Sequence, residues 1–263
     1  MCGDFAFYQF PSDEFWKRLF ERVPGHFRFA FKVPEQITCK MFPRHARYGA
    51  QAGKDNESFL DNHILHEMFL RPLLPYREKT ALLIFEFGAF GRSFADVGEF
   101  LDRLDPFLAA LPAEFRYAVE IRNPEFLERD YFACLRARKV AHVYNAWSKM
   151  PELRSQMAIP ESVTADFLVS RALLRRGRVY EDAVGLFQPY REIQDERRTA
   201  VGVYRYRPRP DPTRTDASKA EPFSTRAQRL SKCKKNLRPA NDLEALLSST
   251  DCILSSAVLT ARW

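Results

Sequence analysis

Five short apolar runs, separated by longer amphipathic stretches, limit this chain to very few architectures. The runs span residues 27–33 (FRFAFKV), 80–87 (TALLIFEF), 115–121 (FRYAVEI), 140–145 (VAHVYN) and 165–173 (ADFLVSRAL). They are rich in Phe, Val, Ile and Leu and largely apolar at consecutive positions, so both faces need cover. Parallel strands flanked by helices provide it. Between the runs, residues 12–23, 57–74, 93–111 and 128–138 carry apolar side chains at helical spacing. Ser12 ahead of Phe15, Leu19 and Phe20 predicts a capped helix, and Ser93 ahead of Val97, Phe100, Leu101 and Leu104 predicts another. Residues 4–10 (DFAFYQF) read as a further strand. Strand and helix recur about every 35 residues, which implies βαβ units with right-handed crossovers.

The predicted fold class is therefore α/β, either a (β/α)8 TIM-barrel-like fold or a doubly wound sheet. Neither G-x-G-x-x-G nor G-x-x-x-x-G-K-[ST] occurs, which removes the main motif evidence for a nucleotide-binding doubly wound sheet. Polar residues at several strand carboxyl ends favour the barrel, where sites are built from those ends.

At 263 residues the chain can bury a substantial core. No apolar run approaches the roughly 18 residues of a membrane span, and the start MCGDFAFYQF lacks the form of a signal peptide, so the expected location is cytoplasmic and no membrane partner is expected. Five cysteines, at 2, 39, 134, 233 and 252, form no close pair and read as reduced structural thiols. The net charge of +7 suggests nucleic acid, but its distribution weakens that reading. Residues 204–240 hold eleven Lys/Arg against three Asp/Glu, leaving 30 basic and 31 acidic residues of the 41 and 34 in the whole chain. The expected organisation is a folded domain over 1–203 and a basic, proline-rich tail over 204–263. That tail reads as disordered, with room for a short terminal helix.

The strand ends present Tyr8, Lys32, Glu86, Glu120 with Arg122, Asn145 and Arg171, and in a barrel these converge on one mouth. Glu86 and Glu120 fall on neighbouring strands. Two carboxylates so placed push one pKa up and can serve as acid and base or clamp a cation. They are the candidate catalytic residues. Lys32, Arg122 and Arg171 would hold negative charge on an anionic ligand, with Tyr8, Asn123, Asn145 and Tyr180 as further ligand-binding candidates. The competing structural reading is that Glu120–Arg122 and Lys32–Glu86 merely neutralise each other inside the barrel. Arg44, His45 and Arg47 lie in a loop that could cover the mouth, and Arg175, Arg176 and Arg178 beside Tyr180 follow the last apolar run. His63, His66 and Glu67 miss the H-E-x-x-H spacing, and no metal or cofactor is expected. His142, inside a strand, reads as a core histidine.

The segments FYQFPS (7–12), FRFAFKVPEQIT (27–38), YAVEIRNPEF (117–126) and TADFLVSRAL (164–173), in this order and spacing, resemble the YecE-like family, a domain of unknown function numbered 72. The resemblance covers about residues 3–200 and implies a TIM-barrel-like fold without a firmly established activity. Members usually open with a Gly-Thr-Ser-Gly-Trp-Ser-Tyr type strand and close with a Val-x-Val-x-Phe-Asn-Asn type strand. Here both are missing or altered, and a truncated start plus a frameshift near residue 200 is expected, leaving an incomplete barrel. Three functions are open: an anion- or phosphate-binding protein, a hydrolase or isomerase if it is an enzyme; a nucleic-acid binding protein using mouth and tail; or an inactive truncated product.

Overall fold

The computed structural model describes residues 2–171 and 201–205. Its centre is a sheet of five parallel strands in sequence order: β2 (Phe29–Lys32), β3 (Thr80–Glu86), β4 (Tyr117–Glu120), β5 (Ala141–Asn145) and β6 (Phe167–Arg171). A two-residue strand, β1 (Cys2–Gly3), lies parallel on the β2 edge, and β7 (Val201–Arg205) runs antiparallel on the β6 edge.

Alternation along the strands sorts the side chains onto two faces. Phe29, Phe31, Leu83, Phe85, Tyr117 and Val119 point outward into a core shared with Trp16, Phe69, Phe100 and Phe132 of the surrounding helices. Ala30, Leu82, Ile84, Ala118, Ala141, Val143, Phe167 and Val169 form a separate inner cluster. The inner residues are mostly small or aliphatic, as the concave side of a tightly curved sheet requires. Arg171 on β6 hydrogen-bonds Glu86 on β3. In a flat sheet those strands would lie three spacings apart, about 14 Å, beyond the reach of two side chains. The sheet is therefore curled into a half-barrel. The predicted α/β class holds, but the sheet is continuous and parallel only as far as β6, and no pairing among the described residues joins β7 to β1.

The helices cover the convex face: α1 (Asp13–Glu21), α2 (Glu35–Thr38), α3 (Asn62–Leu65), α4 (Arg71–Leu73), α5 (Val97–Ala109), α6 (Arg129–Ala137) and α7 (Leu153–Met157). Ser12 caps α1 as predicted, its Oγ accepting from Phe15 N at 3.2 Å. Ser12→Ala is expected to lower the free energy of unfolding by about 1 kcal/mol, read from urea denaturation. The predicted cap of α5 at Ser93 is displaced to Asp96. That carboxylate accepts from Glu99 N, while Glu99 returns a bond from Ala95 N, a reciprocal arrangement that a lone serine three residues earlier cannot match. The predicted helix over 57–74 starts only at Asn62, capped by Asp61. It passes through a π-helical turn at His66–Leu70 before α4. Pro72 has no N–H to return to the Met68 carbonyl, and the π turn sits where that bond is missing.

Residues 4–10 are turns and not the predicted strand. Phe7 N closes a turn onto Asp4 O at 3.0 Å, and Glu35 N donates to Phe7 O at 2.7 Å, laying this segment over the start of α2. No helix among the described residues is long and apolar enough to cross a membrane. Arg175, Arg176, Arg178, Tyr180 and the tail from residue 206 onward lie outside the described residues, and the expected domain boundary at 203/204 falls within β7.

Candidate functional site

At the carboxyl end of the half-barrel the inner face stops being apolar. One pleat beyond Ala30, Ile84, Ala118, Val143 and Val169 stand Lys32, Glu86, Glu120, Asn145 and Arg171, all buried. Strand periodicity of two produces this layer: each polar residue follows its inner apolar neighbour by two positions. Glu86 and Glu120 are direct partners across β3 and β4.

Glu86 is the hub. Its Oε2 meets Lys32 Nζ at 3.0 Å and Arg171 Nη1, and its Oε1 meets Arg122 Nη2 at 2.7 Å. Arg171 Nη1 also donates to Glu120 Oε2, so one guanidinium nitrogen bridges both carboxylates. Lys32 Nζ further pairs with Asp4 Oδ1 at 3.1 Å. Burial alone would raise Glu86, but Arg171, Lys32 and Arg122 outweigh it and hold its pKa at about 2. Glu120 is fully buried and shifts the other way: burial, with the Glu86 charge added, holds it above the carboxylate range despite Arg171 and Arg122. Burial would lower Lys32, but Glu86 and Asp4 raise it. Two adjacent carboxyls with opposed shifts are the arrangement from which acid and base roles are built.

Glu120 Oε1 and Arg122 Nε are both buried, 3.7 Å apart, and neither has a hydrogen-bond partner among the described residues. The Arg122 guanidinium leans over Trp147 at 5.5 Å, with Lys149 on the same ring at 5.8 Å. The far rim is built from the turn after β1 and the loop after α2. That loop is closed at its base by bonds between Phe42 and Lys54 and between Gly53 and Phe42, with Gly53 at φ +75 where the chain turns back. It delivers Tyr48, whose hydroxyl donates to buried Glu35 at 2.6 Å, and Arg47, which lies over Tyr8 at 4.3 Å and near Glu35 at 3.6 Å. Burial raises Glu35, against the Tyr48 hydrogen bond and the Arg47 charge.

Of the residues expected at the mouth, Lys32, Glu86, Glu120, Arg122 and Arg171 form this one cluster. Tyr8 is 54% exposed at the rim, on a turn and not at a strand end. The Asn145 amide donates to Ile121 O at 3.1 Å and accepts from Trp147 N. Asn123 accepts from Phe90 N and donates to Glu125. Both asparagines tie loops to strand ends. Tyr180 lies outside the described residues.

Asp4, Glu35, Tyr48 and Trp147 were not anticipated. Asp4 was hidden by the strand-like reading of 4–10. The loop carrying Arg47 was recognised as a possible cover, without its anchor at Glu35. His142 lies on the outer face, its Nδ1 3.1 Å from Tyr131 Oη, and burial drives its pKa down to about 3. It is a core histidine, as expected, and its partner is the Tyr131 phenol. His66 pairs with Glu67 on an exposed helix face, and the described residues contain no group of three potential metal ligands.

A family model described as a protein of unknown function, DUF72, matches residues 1–237. Among solved structures, a DUF72 family protein from Enterococcus faecalis is 20% identical, with 69% of this chain and 63% of that one aligned at a TM-score of 0.44. A DUF72 family protein from Thermotoga maritima is also 20% identical, over 71% of this chain and 69% of that one, at a TM-score of 0.44. The chain thus spans less than two thirds of the length of the Enterococcus protein. No curated protein matches it.

Proposed function

We propose, for a chain that belongs to the protein family of unknown function DUF72, that the carboxyl-end mouth of the half-barrel binds a small anion through a phosphate or carboxylate group. The reading treats the half-barrel as the front of a (β/α)8-type barrel in a cytoplasmic protein, where ligands enter at the strand carboxyl ends. One observation carries it: Arg122 Nε and Glu120 Oε1 are buried, face each other at 3.7 Å and have no hydrogen-bond partner among the described residues. Buried polar atoms are normally satisfied, and a pair left open at the centre of a charged layer is the place for a ligand or ordered water. The only partly buried Arg122 supplies the contact with the anion, flanked by Lys149 on Trp147. Chemistry at such a mouth is acid–base, hydrolytic or isomerising, with Glu120 as acid beside the permanently ionised Glu86.

Titration calorimetry with inorganic phosphate tests the reading. Saturable binding is expected, weakened about tenfold or more in Arg122→Gln, since a charge-assisted hydrogen bond is worth about 1.5–3 kcal/mol. Absence of saturation, or equal affinity in the variant, contradicts it.

A further inference from the structure

We infer that Glu120 enters the liganded site as a neutral acid and donates the hydrogen bond from its Oε1 to the bound anion, so that each anion is taken up together with a proton; this rests on the anion-binding reading above.

The charge balance leads there. Among the described residues, Lys32, Arg122 and Arg171 face Asp4, Glu86 and Glu120, three cations against three carboxylates. At the rim, Arg47 is likewise matched by Glu35. Among the described residues the buried layer therefore has no surplus positive charge to offer, and Lys149 stands outside it, exposed on the Trp147 ring. An added anion would leave one negative charge uncompensated in a buried site, which is strongly unfavourable. Uptake of a proton from solvent by one carboxylate restores the balance.

Geometry selects the carboxylate. Glu86 is gripped by cations from three directions, Lys32 on β2, Arg122 beyond β4 and Arg171 on β6, and both its oxygens are engaged. Asp4 is partly exposed and can keep its charge in water. Glu120 is 0% exposed. The groups facing it are Glu86 from β3, Arg122 two residues past the end of β4 and Arg171 from β6, with the buried Tyr131 phenol of α6 also within electrostatic reach. Arg171 occupies Oε2, whereas Oε1 is open. A carboxyl protonated on Oε1 becomes a donor, and a phosphate, sulfate or carboxylate oxygen is its acceptor. An ionised Glu120 in the same place would repel that oxygen. The direction of the Glu120 shift agrees with this assignment.

Sulfate, which does not itself titrate near neutrality, is the probe. Calorimetry of the full chain in Tris and in Hepes, buffers of different ionisation enthalpy, counts the protons taken up. Close to one proton per sulfate is expected, with affinity falling about tenfold per pH unit where Glu120 is ionised in the free protein. Glu120→Gln, a permanent donor of the same shape, is expected to bind sulfate without proton uptake and with no pH slope. Sulfate binding by the wild type without proton uptake and without a pH slope at any pH overturns this inference and leaves the anion-binding reading standing. No sulfate binding at any pH removes both. Should Glu120→Gln fail to fold, the wild-type proton count decides alone.

Discussion

Arg171→Met is expected to lower the free energy of unfolding by about 3–5 kcal/mol, because it leaves buried Glu120 without its hydrogen-bond donor and takes one of three cations from Glu86. Arg171 Nη1 is the single donor shared by Glu86 and Glu120, and both acids are almost wholly buried. Glu86 keeps Lys32 and Arg122, but Glu120 Oε2 loses its hydrogen-bond donor in a fully buried position. The measurement is the urea midpoint at neutral pH, with far-UV dichroism confirming the fold. Adding Glu120→Gln removes the stranded charge, so the double variant should be more stable than Arg171→Met alone. A loss under about 1 kcal/mol in the single variant would mean that the layer is solvated. The acid limb gives a second readout. Glu86 titrates at about 2, below its ordinary 4.5, so its stabilisation is complete above pH 4.5 and is lost as pH falls toward 2. Removing Arg171, the first of the three cations that depress it, should flatten that limb.

Phe100→Ala is expected to cost about 3–5 kcal/mol through a different mechanism, a cavity on the convex side. Phe100, on α5, is fully buried and touches four aromatic rings: Phe87 at 5.2 Å, Phe90 at 4.9 Å, Phe94 at 5.5 Å and Phe126 at 5.8 Å. Phe87 directly follows β3, Phe90 and Phe94 come from the stretch leading to α5, and Phe126 lies in the short turn after β4. One ring therefore joins a helix to the loops that leave Glu86 and Glu120. Thermal and urea unfolding should both register the loss, and Phe100→Leu should register a smaller one. Equal values for Ala and Leu would show that the neighbours collapse into the space.

The strands were legible because each is buried on both faces and therefore apolar at consecutive positions. The same pattern put Glu86, Glu120 and Arg171 where an apolar run ends, and strand adjacency brought the two glutamates together. Periodicity fails where a segment is aromatic without being a strand. Phe5 and Phe7 alternate as in a strand, but they lie in a turn, and Phe5 lies 5.3 Å from Phe15 of α1. Asp4 was lost with that misreading. Caps were legible only where one candidate stood alone: Ser12 had no rival, whereas Ser93 lost to Asp96 with Glu99 three residues on. Asn145 sits at a strand end as expected, and Asn123 lies three residues past the end of β4. Nothing in their spacing reveals that their amides are tied to Phe90, Ile121 and Trp147, which follow neighbouring strands or the end of β5 itself, and nothing in it reveals the curl that carries Arg171 to Glu86.

That curl also dictates when the mouth can come into being. The bond from Arg171 to Glu86 joins residues 85 apart in the chain, and the one to Glu120 joins residues 51 apart. Neither can close until the strands from β3 to β6 are already side by side. Links across such long loops form late in the search for the native state, after local helices and neighbouring strands have met. Interactions made after the rate-limiting step slow unfolding without speeding folding. The charged layer is therefore expected to act as a latch that slows unfolding of the native shape without speeding its formation.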